Sequence, residues 1–389
     1  MEAIGQQGEL DVSLVRDILD VKTGYTQFFD GDVVIAKITP CFENGKGALV
    51  RGTLNGIGFG TTELHVLRPG PDLDGRFLYY VSVSEPFRKL GEAGMTGAAG
   101  QKRVPEDFVR DFRVGLPPLP VQRAIADHLD REMVRLDALV AAKERVLGLL
   151  AEKRRALITR AVTRGLAPGA PLRDSGIPWL GEIPAHWQLK RLKHVGRAII
   201  GLTFDPADTV TDGSGVLVLR ASNVKDQQII LDDNLFVLMD IPESLRTRAG
   251  DILICSRSGS RALIGKNALI DQSSAGLTFG AFMTVFRSPH NEYLFYIFNS
   301  PLFDYQAGAF STSTINQLTV ETLNGMEVPL PPPSEQKAIV AILREQTSRL
   351  DRLVEATERT IALLKERRAA LIAAAVTGAI EICGEARSG

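Results

Sequence analysis

The sequence predicts an α+β protein: two globular domains of mixed strands and short helices, each followed by a long helix, the two helices pairing as a coiled coil. Three observations predict it. The chain repeats itself 214 residues apart, the repeated part carries a seven-residue apolar stripe, and the segments before it read as short strands punctuated by glycine.

The bulk numbers set the frame. A chain of 389 residues is too long for one ordinary core, and 44% hydrophobic content points to folded material. The start, "MEAIGQQGEL", has no basic or apolar leader region, and the longest apolar run, "LIAAAVTGAI", is far short of the roughly 20 residues that span a bilayer. Cys41, Cys255 and Cys383 are widely spaced and odd in number, which fits a reducing cytoplasm rather than a disulfide framework. A net charge of −1 and a pI near 6.6 exclude a protein that coats nucleic acid by charge alone, so any such contact is local or shared with a partner.

The repeat comes next. Residues 116–163 laid over 330–377 without a gap give 25 identities in 48 positions, among them Gln122/Gln336 and Leu136-Asp137/Leu350-Asp351. Prolines open each copy and Ser334 is a good N-cap, so helices should start near 121 and 334. Down the first copy Leu129, Leu136, Leu150 and Leu157 fall on one seven-residue row and Val140 and Leu147 on the adjoining one. The second copy repeats this with Leu343, Leu350, Leu364 and Leu371, beside Val354 and Ile361. Lys143, Thr357, Arg154 and Arg368 interrupt these rows. A lone helix cannot bury such a seam, and the nearest partner for each copy is the other, at high effective concentration. Helices of this length reach about 65 Å and can act as a ruler; the plainer alternative is that they dimerise the protein or dock a second chain.

The repeat extends upstream more weakly. "GDVVIAK" answers "GDILICS", "IGFGTTELHVLRP" answers "GLTFGAFMTVFRS", and "FLYYVSVSEPF" answers "YLFYIFNSPLF". These are β-rich runs bounded by glycine, followed by a short helix. Strong likeness in the helices with drift in the globules suggests one frame carrying two differently tuned surfaces.

At this point the chain resembles a known family, the DNA specificity subunits of Type I restriction-modification systems. The likeness is carried by "PLPPPSEQKAIVAIL", by the heptad helix ending "ERRAALIAAAVTG", by "GIPWLGEIPAHWQLKRLKHV" and by the "GDILI" strand, in that family's order over nearly the whole chain. The resemblance implies two target-recognition domains, each reading one half of a split DNA sequence, spaced by two antiparallel helices. It also implies two methyltransferase subunits docked on those helices, motor-nuclease subunits recruited for restriction, and a cytoplasmic location. No cofactor is expected in this chain; S-adenosylmethionine belongs to the partner methyltransferase. The expected boundaries are 1–115 and 167–329 for the recognition domains, 116–166 and 330–380 for the helices, and 381–389 for a tail. The second half has about 73 residues from Ile177 to Gly250 where the first has only 30 before Gly31, so the first domain is expected to be shortened by roughly forty residues at its front.

Base reading favours Arg or Lys toward guanine and Asn or Gln toward adenine, while phosphates accept Lys, Arg, Ser and Thr. In the second domain "LRASNVKD" offers Arg220, Ser222, Asn223 and Lys225, and "CSRSGSRALIGK" offers Ser256, Arg257, Ser258, Arg261 and Lys266. The stretch "STSTINQ" adds Ser313, Asn316 and Gln317. In the first domain Lys37, Thr39, Asn44 and Lys46 lie in "AKITPCFENGK", and Gln101, Lys102 and Arg103 in "GAAGQKR". Each residue taken singly is as readily a solvated loop side chain. Trp179 and Trp187 are expected to pack rather than stack on bases.

Catalytic signatures are missing from the sequence. It has no Asn/Asp-Pro-Pro-aromatic string for a flipped base and no G-x-S-x-G. In "RALIGKN" Ser260 stands where a phosphate loop has its first glycine, and Asn267 where it has Ser or Thr. The five histidines show no metal spacing. A non-catalytic DNA-reading subunit is the first reading. A coiled-coil adaptor that binds proteins without DNA selectivity is the second, and an autonomous nuclease or methyltransferase the third.

Overall fold

The computed structural model describes residues 1–98, 100–309 and 317–380. It divides into two compact units, Met1–Val146 together with the chain from Ala356 onward, and Leu147–Glu355.

In the first unit a one-turn helix α1 (Ile18–Val21) leads into strands β1 (Thr26–Phe29), β2 (Val33–Ala36), β3 (Gly47–Leu49), β4 (Ile57–Gly60) and β5 (Leu64–Leu67). Helices α2 (Gly75–Val83), α3 (Glu85–Ala93) and α4 (Glu106–Asp111) follow, then α5 (Leu119–Arg164). The central strand β2 reads Val-Val-Ile-Ala, β-branched and apolar on both faces, and all four residues are buried. It pairs antiparallel with β3 and with β5, Val33 standing opposite Leu49 and Leu67. One face, Val33 and Ile35, packs on Phe77 and Tyr80 of α2; the other, Val34, packs with Ile4, Phe28 and Ala48.

The second unit has more strands: β6 (Leu172–Asp174), β7 (Glu182–Pro184), β8 (Gln188–Arg191), β9 (Arg197–Ile200), β10 (Thr209–Val210), β11 (Val216–Leu219), β12 (Val224–Lys225), β13 (Gln228–Ile229) and β14 (Phe236–Val237). Then come β15 (Ile252–Cys255), β16 (Asn267–Leu269), β17 (Thr278–Phe279), β18 (Met283–Arg287), α6 (Asn291–Phe298), α7 (Pro301–Ala309), α8 (Val320–Gly325), β19 (Glu327–Leu330) and α9 (Pro333–Val376). The sheet β16-β15-β18-β9 repeats the β3-β2-β5 sheet with one strand added, β8 pairs with β19, and β11 and β14 build a further sheet with β10 and β17.

The repeat is visible in specific contacts. Asp32 takes two bonds from Arg68, both 2.8 Å, and the amide of Phe29 at 2.7 Å; Asp251 takes two from Arg287, 2.8 and 2.6 Å, and the amide of Arg248 at 2.8 Å. Gly31 and Gly250, at φ +96° and +88°, make the turn that precedes each carboxylate, a conformation that costs glycine little. Gln122 donates to the carbonyls of Pro117 and Asp72 and accepts the amide of Asp74, the N-cap of α2. Gln336 donates to Pro331 and meets Nδ1 of His290, the N-cap of α6. The proline-glutamine motif is therefore a latch between a long helix and the short helix beneath it.

The helices α5 and α9 run 46 and 44 residues. Both units take part of each. In the first, Leu129, Met133 and Leu136 cluster with Ile372, Ala375 and Val376; in the second, Ile158, Ala161 and Val162 cluster with Ile339, Val340 and Leu343. Early residues of one helix meet late residues of the other, so the pairing is antiparallel in each unit. Leu129, Leu136, Leu343 and Leu350 are buried, each contributing about 2 kcal/mol by area. Val140, Leu147, Leu150, Leu157, Val354, Ile361, Leu364 and Leu371 are half-buried. The two arginine interruptions are paired: Arg368 bonds Asp137 at 2.5 Å in the first unit, and Arg154 bonds Asp351 in the second. Among the described residues no helix is long and apolar enough to cross a membrane.

Candidate nucleic-acid interface

In each unit the fold brings together two loops that are distant in sequence. In the first, the stretch after β2 runs beside that before α4: the amide of Thr39 donates to the carbonyl of Lys102 at 3.0 Å, and that of Val104 to Lys37 at 2.8 Å. In the second, the stretch after β15 runs beside that before α8: the amide of Leu318 donates to Ser256 at 2.8 Å, and Arg257 bridges to Gln317. Lys37–Thr39 with Gln101–Arg103 thus corresponds in place to Ser256–Arg257 with Gln317. Ser313 and Asn316 lie outside the described residues.

The side chains differ in availability. Arg257 is exposed, donates to the side-chain oxygen of Gln317 at 2.8 Å and lies over the ring of Phe282 with 5.5 Å to its centroid. Phe282 is itself exposed, a residue the sequence reading did not single out. Arg261 is exposed and lines a hollow of about 270 Å³ with Gln317 and Asp304. Burial pushes the Asp304 carboxyl above its ordinary range, with Arg155 pulling the other way. Ser258 accepts the amide of Ser260, and Lys266 is half-buried. Ser256 is buried, its hydroxyl donated to the carbonyl of Phe282; it shapes the loop and presents nothing outward.

The turn after β11 needs a correction. Asn223, expected to face a base, is fully buried: its oxygen accepts the amide of Arg220 and its nitrogen donates to the carbonyls of Ile230 and Asp233. Asparagine suits this role as well as base reading, because its amide mimics backbone. Arg220 is half-buried and held by Asp233 at 3.0 Å. Ser222 and Lys225 remain exposed on the same turn.

In the first unit Asn44, Gln101 and Lys102 are exposed. Lys46 donates to the carbonyl of Met1, and Thr39 to Glu43. Arg103 donates two 2.8 Å bonds to Glu63, and this guanidinium keeps the Glu63 carboxyl below its usual range. Nothing in the local sequence marks Glu63, forty residues away, as the partner. Trp187 is buried and Trp179 packs on Tyr305, ring centroids 5.4 Å apart.

The arrangement defines a class of fold: one scaffold, repeated within a chain, that carries a pair of polar loops at the same place in each copy, with different side chains. Residues 184–366 match the family model of the Type I restriction modification DNA specificity domain. Over that stretch, somewhat under half of the chain, the protein is similar to the specificity subunits of Type I restriction-modification systems. It is 46% identical over 145 residues to the EcoAI specificity subunit of Escherichia coli, an alignment covering 34% of this chain and 25% of that one; the chain thus matches only a quarter of that relative's length. The MjaVIII specificity subunit of Methanocaldococcus jannaschii is 24% identical over 320 residues, 80% of this chain and 71% of that one. In fold it is similar to a solved structure described as the basis of complex assembly and conformational transition of the type I R-M system. That likeness has a TM-score of 0.74 and 21% identity over 92% of this chain and 85% of that one.

Proposed function

We propose that this chain is the non-catalytic DNA-reading subunit of a Type I restriction-modification complex, each unit reading one half of a split target. The observation that supports it most directly is the loop pair that recurs at the same place in both halves of a duplicated scaffold, with different side chains in each. Exposed Arg257, Arg261, Ser222, Lys225 and Gln317 are the contact set of the second unit, and Lys37, Asn44, Gln101 and Lys102 that of the first. Reading of this kind needs polar side chains at base edges and cations at phosphates, and both types are present in each set.

The long helices are the surface on which two methyltransferase subunits dock, with S-adenosylmethionine held by those subunits, and motor-nuclease subunits join for restriction. Co-expression with a Type I methyltransferase subunit, followed by mapping of modified adenines in the host DNA, tests the reading. A split motif with two defined halves is expected. A partner-bound chain that leaves DNA unmodified and shows no sequence preference at any salt concentration refutes it and favours the protein adaptor.

A further inference from the structure

A groove of the first unit, about 580 Å³, lies between the edge of β5 and α4, with His65 and Val66 on one wall and Val109 and Arg110 on the other. Among the described residues β5 pairs only with β2, so its second edge is open. An open edge is a template for another strand.

In the second unit the same place is filled. There β9 pairs with β18, Arg197 opposite Arg287 and Ile200 opposite Thr284, while β8 pairs with β19, Gln188 opposite Leu330 and Arg191 opposite Glu327. The turn at Leu192–His194 between them packs on α8. Leu323 of α8 is buried beneath it, whereas Val109, its counterpart on α4, is half-buried. Val328 is buried under β8, whereas its counterpart Val114, and Leu116 beyond it, are exposed.

A matching occupant exists in the chain itself. Residues 10–26, "LDVSLVRDILDVKTGYT", lie without a gap on 187–203, "WQLKRLKHVGRAIIGLT". Leu10, Val12, Val15 and Ile18 fall on Trp187, Leu189, Leu192 and Val195, and Gly24 and Thr26 on Gly201 and Thr203. An added Cβ at Gly201 would lie 2.1 Å from the carbonyl oxygen of Gly280, so that strand needs glycine at the position Gly24 repeats. Yet Val15 and Ile18 are 62% and 54% exposed, against 0% and 8% for Leu192 and Val195.

The charges have changed together. Residues 188–202 carry four cations (Lys190, Arg191, Lys193, Arg197) and no acid, whereas 11–25 carry Asp11, Asp17 and Asp20 against Arg16 and Lys22. The seat has changed the opposite way. Lys37, Arg103 and Arg110 stand where the second unit has Ser256, Gln317 and Asn324, and Arg113 stands where it has Glu327; against these, Glu63, Glu106 and Asp111 replace Phe282, Val320 and Gly325. The segment has become more acidic and its seat, on balance, more basic.

We infer that Asp11–Tyr25 is the occupant of this groove, and that the first unit passes between the open arrangement of the structure and a closed one. In the closed arrangement Asp20–Thr23 pairs antiparallel with β5, Asp20 opposite Arg68 and Thr23 opposite His65, and Asp11–Leu14 pairs with Arg113–Leu116. Thr26 lines the groove, so the segment reaches its seat without a connecting loop. The alignment also moves the missing residues: Gly24 to Gly31 takes seven steps where Gly201 to Gly250 takes forty-nine, so the shortfall lies behind this strand, at β10–β14, and not in front of it. Closing covers Lys37 and Arg103, and so changes the face the first unit offers.

Hydrogen exchange on the full chain tests this without DNA. Protection of both Leu64–Leu67 and Asp11–Thr23 is expected, falling by roughly tenfold or more in both stretches on Val15→Asp with Ile18→Asp, while β15 and β18 stay unchanged. Ile18→Cys with Val109→Cys, in a background whose native cysteines are alanine, should cross-link within one chain. Free exchange of Asp11–Thr23 in the unaltered chain overturns the inference, whether or not Leu64–Leu67 is protected. So does a cross-link that forms only between two chains, which would make the occupant a second copy.

Discussion

Replacing Arg257 with alanine separates reading from folding. In the free chain the side chain makes one exposed hydrogen bond, 2.8 Å to Gln317, and one exposed contact over Phe282 at 5.5 Å. Their loss costs about 1 kcal/mol in stability, half from each, because both are open to water. A bidentate contact from the same guanidinium to a guanine is worth about 1–3 kcal/mol of discrimination, or roughly 5- to 150-fold in affinity. The assay is binding of the assembled complex to duplexes in which each half of the mapped motif is intact or scrambled, at two salt concentrations. Arg257→Ala should bind the intact target more weakly and lose preference at the second half alone, with melting nearly unchanged. An equal loss on every duplex, with a shallower salt dependence, would reduce Arg257 to a phosphate contact. A melting shift as large as the binding loss would show that the fold, not the reading, was damaged.

Other perturbations bear on the scaffold. Asp251→Ala strands the largely buried Arg287 and removes the acceptor for the Arg248 amide; discounting for the exposed part of Arg287, the cost is about 2–3 kcal/mol in urea unfolding, and Arg287→Met in the same chain should recover part of it. The bonds from Arg68 hold the Asp32 carboxyl below its ordinary range, so its contribution is present above the unfolded value near 4 and fades as pH falls below it. Asp32→Asn should therefore melt lower than the unaltered chain at pH 7, with the gap narrowing as pH falls below about 4; a gap that does not narrow on acidification would contradict the linkage. Removing one heptad from both α5 and α9 shortens each by about 10 Å and should shorten the gap between modified half-sites by roughly three base pairs. An unchanged gap in the methylation map would discard the ruler.

Much of the frame was readable before any coordinates, because it is repeated and periodic. The seven-residue rows predicted α5 and α9 to within a few residues, and "GDVVIAK" against "GDILICS" placed β2 and β15. Less readable was anything that depends on a partner far along the chain. Arg154 and Arg368 looked like faults in the apolar rows and are instead each matched by an aspartate of the opposite helix. Asn223 and Arg103 were chosen by residue type, but one serves its own turn and the other is engaged by Glu63. Sequence spacing also hid the likeness of residues 10–26 to 187–203, since the former has exchanged its cations for acids and kept only a thin apolar pattern. Loops are read poorly for the same physical reason throughout: type fixes what a side chain can do, and distant contacts decide what it does.

The partition of the long helices bears on how the chain is made. The apolar face of α5 in the first unit is covered by Ile372, Ala375 and Val376, residues synthesised some 230 positions after Val146. At roughly 5–20 residues per second that face waits on the order of 10 to 50 s on the ribosome before its cover emerges. The first globule can collapse early, but its helix cannot be finished until Ile372–Val376 have emerged. A nascent chain of this design presents a long greasy stripe to the cell for that whole interval, and its yield will depend on what shields that stripe in the meantime.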